Sequence, residues 1–426
     1  MKIFADLQIH SRFSRATSPS ITIPNLEKYA RLKGINLLGT GDFTHPKWLA
    51  ELKSELKEDE TGILTSKSGF RFILQGEISN IFTQDGKGRR IHNLLLARNF
   101  EVVEQINAAL LKKGRLDYDG RPMFGFSCIE LVEMMKEIDD DIEIIPAHAW
   151  TPYYGIFGSM TGFDSVEECF KEYSHKIHAI ETGLSSDPSM NWRISALDKY
   201  TLLSSSDAHS FWPWRLGREC NVFDIDWSYD KLLEAIRKRK NFIETIEMWP
   251  HEGKYHYTGH RNCNVCLSPK ESLKLKNICP KCKRTLTVGV AQRVEELADR
   301  EEGFVPKNAV PFKNLIPLSE VIAGTIGERV ESKKVWEEYY KLINTFGNEF
   351  NVLLYIEEKE LKKITSEKIA NNIMRNRNQK IPFKPGYDGV YGVPIFEEGD
   401  LEKYSEQRNK IKSKIEQKGL GEFLTA

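Results

Sequence analysis

Net charge is what this chain most plainly lacks: its 61 lysines and arginines are matched by 61 aspartates and glutamates. A protein that coats nucleic acid by bulk positive charge is thereby excluded, and any basic surface must be local. Long apolar runs are missing too, and no stretch reaches the ~18 residues of a transmembrane helix. The opening MKIFADLQIHSRFS turns polar within a few residues and lacks the apolar core of a signal peptide, so an intracellular, membrane-free protein is expected. Cysteine is scarce. Seven in 426 residues, an odd number in a large chain, argue against a disulfide scaffold. Neither an internal repeat nor a low-complexity tract occurs. The remaining composition, 40% hydrophobic and 29% charged, suits a globular core, and the length allows one barrel of ~250 residues plus a second part.

Residues 1–245 alternate short apolar runs with amphipathic stretches. KIFADLQIH, INLLGTGDF, FRFILQGEIS, RIHNLLLA, IEIIPAHAW, IHAIETG and TLLSSSDAH read as buried strands, and IPNLEKYARLK, EVVEQINAALLKK and CIELVEMMKEI as helices. That alternation predicts an α/β fold with a parallel sheet, best fitted by a distorted (β/α)7 barrel. Residues 246–292 form a second expected unit. Within 253–293 there are nine basic residues and one acid, Glu271. Residues 293–426 are expected to be mainly helical and charged.

Metal-type residues fall where the predicted strands end. Asp6, Gln8 and His10 close the first, Asp42 and His45 follow the second, and Glu77 ends the third. His92 lies in the fourth, His148 ends the fifth, Glu181 ends the sixth, and Asp207 and His209 follow the seventh. In a barrel these ends converge on one mouth, and histidine with carboxylate is a ligand set for Zn, Mn or Fe. Taken singly, each has a plainer role; Asp42 and Asp207 could cap helices. Five of the ten histidines sharing this placement favour a common site.

The succession DLQIHS, GTGDFTH, GE, RIHNLL, PAHA, IETG and SSDAH resembles the PHP (polymerase and histidinol phosphatase) metallo-phosphoesterase superfamily. The resemblance implies a trinuclear site over residues 1–245. One metal would be held by Gln8, His10, Glu77 and Asp207, a second by Glu77, His92 and His148, and a third by His45 and His209 with Asp42 or Glu181. Zinc is the expected metal, with Mg or Mn as alternatives. The chain departs from the superfamily in having Gln8 where His-x-His is usual, and Phe43 after Asp42 where Asp-His is usual. No further ligand is evident in SRFSRATS.

Cys263, Cys266, Cys279 and Cys282 form C-x2-C-x12-C-x2-C, the spacing of a closed tetrahedral zinc site. It serves either as a structural ribbon alone or as one presenting Lys274, Lys276, Lys281, Lys283 and Arg284 to a phosphate backbone. Trp150, Tyr153, Tyr154, Trp192, Trp212 and Trp214, with Arg215, crowd the expected mouth. They either pack a lid or offer stacking faces to an extruded base. Near the end of the chain, Gln417, Leu420, Phe423 and Leu424 fit the spacing of peptides that bind a sliding clamp, a short pattern that also arises by chance.

From KYHYTGHRNCNVC to PGYDGVYG, the chain as a whole resembles the endonuclease Q family of archaea and bacteria. The resemblance implies a DNA repair endonuclease, expected as a monomer, that cuts 5′ to a deaminated base (uracil, hypoxanthine, xanthine) or an abasic site. It would leave a 3′-hydroxyl and a 5′-phosphate. His10, Glu77, His92, His148, Asp207 and His209 are the expected catalytic set, and damaged DNA the expected partner. A phosphatase of small phosphate esters and a non-catalytic scaffold for DNA and clamp are the alternatives.

Overall fold

A computed structural model describes residues 1–397 and 399–406. Three strands, β1 (Lys2–Asp6), β2 (Leu37–Gly39) and β3 (Arg71–Gln84), lie side by side and parallel, with Ala5 opposite Leu37 and Leu37 opposite Arg71. They are almost wholly buried, as apolar parallel strands must be. The helix Ile23–Lys33 that joins β1 to β2 starts at Thr22, whose side chain accepts from Asn25 N. Such a cap is worth about 1 kcal/mol.

The fourth strand, β4 (Lys87–Ala97), breaks the expected parallel order. It folds back on β3 with Gln84 opposite Lys87. The turn residues Asp85 (φ 52°) and Gly86 (φ 73°) are both left-handed, the two-residue turn that Asp-Gly favours. Glu77 therefore lies in the middle of a long strand instead of at its end. β5 (Glu143–Pro146) pairs antiparallel with β4, which restores the original direction. β6 (Ala179–Glu181) and β7 (Thr201–Leu203) pair parallel. Ala149 N donates to Glu181 O (2.9 Å), and His10 N to Ala208 O (2.9 Å), linking the segments after β5 and β1 to this pair.

β8 (Cys220–Asp224) pairs antiparallel with residues 2–5 of β1, and β9 (Phe242–Glu247) pairs with β8. Asn221 stitches the gap, donating to Ser204 O (2.7 Å) while its Oδ1 accepts from Ser204 N (3.0 Å). The expected boundary at residue 245 falls inside β9, and Phe312–Asn314 adds a parallel strand beyond it. The sheet thus recruits part of the segment expected to be helical.

A short hairpin (Thr258–His260 and Val265–Leu267) and the helix Pro269–Lys274 form the cysteine-bearing part, whose core is Val265, Leu267, Cys279 and Leu286. Five helices between Leu318 and Arg377 follow. They meet the helix Ile23–Lys33 at Lys33, which is 1% exposed. Its Nζ donates to Glu349 Oε1 (2.7 Å) and Pro213 O (2.8 Å). Glu349 also accepts from Leu318 N (2.9 Å) and Tyr339 OH (3.0 Å), so the buried pair is saturated with partners. Among the described residues no helix is long and apolar enough to cross a membrane.

Candidate metal centre

Strained backbone turns the functional side chains inward. Asp42 (φ 42°), His148 (φ 32°) and Asp207 (φ 47°) all adopt left-handed conformations just beyond strands. For residues other than glycine these cost of order 1–3 kcal/mol each, and they collect at functional sites. They bring two groups of ligand atoms together. His10, Asp207 and His209 form one, and Glu77, His92 and His148 the other, each with all its donor atoms within 4.8 Å of one another.

Glu77 stands between the groups and is fully buried. Its Oε2 lies 3.0 Å from His10 Nε2, and its Oε1 lies 2.7 Å from His92 Nδ1 and 3.4 Å from His148 Nε2. Asp207 Oδ1 is 3.1 Å from His10 Nε2. Gln8 Nε2 donates to Glu77 Oε2 (3.0 Å). Behind His10, Asp42 Oδ1 meets Nδ1 at 2.9 Å, while Asp42 Oδ2 accepts from Ser11 N (2.6 Å) and Ser14 Oγ (2.8 Å). Asp42 thus orients His10 and keeps its Nε2 face toward the carboxylates, the outer-shell role carboxylates take behind ligating histidines. His148 is aligned in the same way by Thr151 Oγ1 (3.0 Å) and by Glu181, which accepts from His148 N (3.0 Å).

The electrostatics are those of a site built for cations. Burial opposes charge on Glu77, yet Arg121, His92 and hydrogen bonds from His10 and His148 hold its pKa well below the usual range. Burial likewise opposes charge on His10, but Asp42, Asp207 and Glu77 raise its pKa well above that of free imidazole. For His92 burial wins, and its pKa falls to about 3. Burial lifts Glu181 to about 8. Gln8 Oε1 is buried with no hydrogen-bond partner among the described residues, and His10 Nε2 meets both Glu77 Oε2 (3.0 Å) and Asp207 Oδ1 (3.1 Å). Ligand atoms converging on one point fit a divalent cation, and imidazole with carboxylate fits Zn or Mn.

Not every expected ligand joins. His45 stacks on Phe13 (centroids 4.3 Å apart) and enters neither group. Glu181 and Asp42 act behind the histidines, so the expected third metal has no cluster of its own among the described residues. Three contributors escaped the sequence reading: Ser14, Thr151 and Arg121, whose Nη1 donates to Glu77 at 3.3 and 3.4 Å. Arg121 had a visible signal, the turn sequence Asp-Gly-Arg-Pro.

The cysteines gather differently from their spacing. Cys263, Cys279 and Cys282 come together with His260, within 4.8 Å. Cys266 instead has its Sγ 3.8 Å from Pro385 O. In the hairpin Cys266 opposes Gly259 while Val265 opposes His260, so alternation turns Cys266 to the face away from His260. Lys274, Lys276, Lys281, Lys283 and Arg284 are all exposed.

Most of the aromatic residues are packing. Trp150 is 1% exposed, bonded to Asn191 Oδ1 and packed on Phe157. Trp212 stacks on Trp214 at 5.1 Å, and both meet Trp336 of the helical part at 5.4 Å. Trp192 sits edge-on to Phe312, and Arg215 faces the carboxyls of Glu252 and Glu320, whose pKa values burial raises. Trp150 and Trp214 are buried, while Trp192, Trp212 and Arg215 are half-buried. Tyr154 lies beside the centre, its ring centroid 4.3 Å from that of His92, and its chain neighbour Tyr153 is 45% exposed. The segment 417–424 lies outside the described residues.

Comparison with solved structures decides the family. The lesion-specific endonuclease PfuEndoQ from Pyrococcus furiosus is 33% identical, with a TM-score of 0.84, over 93% of this chain and 96% of that one. The chain belongs to the endonuclease Q family. A second endonuclease Q structure, a complex with a 27-mer duplex substrate carrying an abasic lesion at the active site, matches at 33% identity and a TM-score of 0.84, over 94% of this chain and 98% of that one. Residues 317–380 match the MJ0043 C-terminal domain family. The uncharacterised protein MJ0043 of Methanocaldococcus jannaschii is 34% identical over 314 residues, 70% of this chain. The match spans only 37% of that relative's length. For this endonuclease Q family member, the two ligand groups sharing Glu77 are the centre on which a functional reading must rest.

Proposed function

We propose that the chain is a DNA repair endonuclease that hydrolyses the phosphodiester on the 5′ side of a deaminated base (uracil, hypoxanthine or xanthine) or an abasic site. The observation that carries this reading is the pair of ligand groups, one buried and one half-buried, that meet where Glu77 contacts His10, in a chain alike along nearly its whole length to a lesion-specific endonuclease. When bound, divalent ions held by His10, Asp207 and His209 and by Glu77, His92 and His148 would supply hydroxide at neutral pH and neutralise charge on the phosphate. In the reaction a water oxygen bonds to phosphorus, the bond to the 3′ oxygen breaks, and that oxygen takes up a proton. The products are a 3′-hydroxyl and a 5′-phosphate.

The protein's own part is orientation. Asp42 and Ser14 fix the tautomer of His10, and Thr151 and Glu181 fix His148. Tyr153 and Tyr154, at the rim, are placed to meet a base turned out of the duplex, which costs least at a damaged or mispaired position. The exposed Lys274, Lys276, Lys281, Lys283 and Arg284 supply a local basic surface for the backbone in a chain with no net charge.

A nicking assay tests the reading. A labelled duplex with one deoxyuridine or deoxyinosine is compared with its undamaged control, with divalent metal, with chelator, and with His148→Ala. A metal-dependent cut 5′ of the lesion, absent from the control and the variant, is expected. Metal-loaded protein that leaves the lesion duplex intact would overturn it and point to a small phosphate ester.

A further inference from the structure

One cation reaches the acidic centre, and it comes from a loop that belongs to no predicted strand end. Arg121 lies between the helix Phe100–Leu111 and the short strand Met123–Phe124. Its side chain is 26% exposed, while Glu77, to which Nη1 donates, is completely buried. Arg121 therefore spans from solvent to the carboxylate shared by both ligand groups.

The loop is pinned from every side. Gly120 N donates to Phe13 O (3.1 Å), and Ser79 N to Pro122 O (3.0 Å). Thr44 Oγ1 donates to Gly120 O (3.1 Å), and Arg121 N to Asp119 Oδ1 (3.1 Å). A Cβ at position 120 would lie 2.2 Å from Asp42 Oδ2, so only glycine lets this backbone press against the carboxylate that orients His10. The position of Arg121 is thus fixed by the same residues that fix the centre. A guanidinium carries five N–H donors in a planar fork. Among the described residues only Nη1 has a hydrogen-bonded side-chain acceptor, which leaves the Nε and Nη2 donors of this partly exposed side chain without one.

We propose that Arg121 contacts the substrate, its free guanidinium edge holding a non-bridging oxygen of the phosphate being cut. The proposal rests on the endonuclease reading above. During hydrolysis negative charge builds on the non-bridging oxygens. A pre-positioned guanidinium in a water-poor site therefore binds the transition state more tightly than the ground state, and its contribution falls on kcat. The geometry suits planar, paired donation to phosphate, which a lysine reproduces only in charge. A plain counter-ion for Glu77 would act differently: its loss would alter metal affinity and leave kcat untouched at saturating metal.

The test compares full-length wild type, Arg121→Met and Arg121→Lys on the lesion duplex at saturating divalent metal. Metal bound per chain and melting temperature are measured alongside. For Arg121→Met, kcat is expected to fall about 10²–10³-fold, the loss typical of one transition-state donor. KM should stay within a few-fold and metal content unchanged, with Arg121→Lys recovering part of the rate. On a lesion duplex with a non-hydrolysable linkage at the scissile position, metal-loaded Arg121→Met should bind more weakly than wild type, with a salt slope smaller by about one. Wild-type kcat in Arg121→Met, or a loss reversed by more metal, overturns the proposal in favour of the counter-ion role. Should the wild type itself fail to nick, the endonuclease reading falls, and the binding titration decides on Arg121 alone: equal binding overturns the contact.

Discussion

The chain holds two candidate metal centres built in opposite ways. At the strand ends, the ligands run from His10 to His209, almost two hundred positions apart in sequence, and are fixed by buried partners before any cation arrives. In the cysteine-bearing part, all candidate ligands lie between His260 and Cys282, and the core beneath them is four residues, Val265, Leu267, Cys279 and Leu286. A centre of the first kind borrows its order from the fold, whereas a centre of the second kind must lend order to its surroundings. The difference predicts that metal in the cysteine-bearing part would serve folding and metal at the strand ends chemistry, and it can be broken at several points.

Chelation separates the two most strongly. Structural zinc contributes on the order of 10 kcal/mol to such small units. A strong chelator is therefore expected to abolish amide-exchange protection over residues 258–287 while β1–β9 stay protected. Equal protection loss in both regions would erase the distinction.

The order lent to the strand-end centre is expected to depend on distant contacts. Lys33→Met leaves Glu349 buried without its cation, which should cost about 3–5 kcal/mol in denaturant unfolding. The double variant Lys33→Met with Glu349→Leu should recover much of that loss. A loss below about 1 kcal/mol would mean that the helical part docks by apolar packing alone.

Proton linkage beneath the centre is the next effect in size. Glu247 is buried and accepts from Thr182, Ser204 and Thr245. Burial raises its pKa from the ordinary 4.5 to about 8. The folded chain then keeps a proton that the unfolded chain gives up above pH 4.5. Stability from this group is complete below that value and declines up to about pH 8, by at most about 1.4 kcal/mol per pH unit. Glu247→Gln should flatten that part of the stability curve, and an unchanged slope in urea titrations from pH 5 to 8 would contradict the shift.

The smallest effects belong to the exposed rim of the cysteine-bearing part. Replacing Lys281, Lys283 and Arg284 together by alanine should weaken duplex binding evenly across sequences. It should also lower the salt slope by about one for each residue that contacts phosphate. An unchanged slope would remove these residues from the DNA surface.

Both centres were legible in sequence to different depths. His10, Glu77, His92, His148, Asp207 and His209 were marked by standing where buried apolar runs end or cross, and the fold brings these six into two groups. The β3–β4 reversal was written in Asp85–Gly86 but was overlooked, because a strand buried on both faces reads alike in either direction. Arg121 was missed because a loop's reach is a tertiary property. Trp150, Trp212 and Trp214 looked like a stacking surface because sequence does not show what covers a ring. Here the cover is Phe157 from the same loop as Trp150, with Asn191 and Trp336 from distant segments. His260 stands three positions before Cys263 and comes within 4.8 Å of three of the four cysteines, a proximity that the hairpin creates and the cysteine spacing does not show.

The most direct measurement of the central claim is the metal content per chain of wild type and Glu77→Gln, by native mass spectrometry. Glu77 joins the two strand-end groups, and the cysteine-bearing group stands apart. The account predicts three divalent ions in the wild type and one in the variant, with the cysteine-bearing part still folded. A Glu77→Gln protein that retains the full wild-type complement would contradict it.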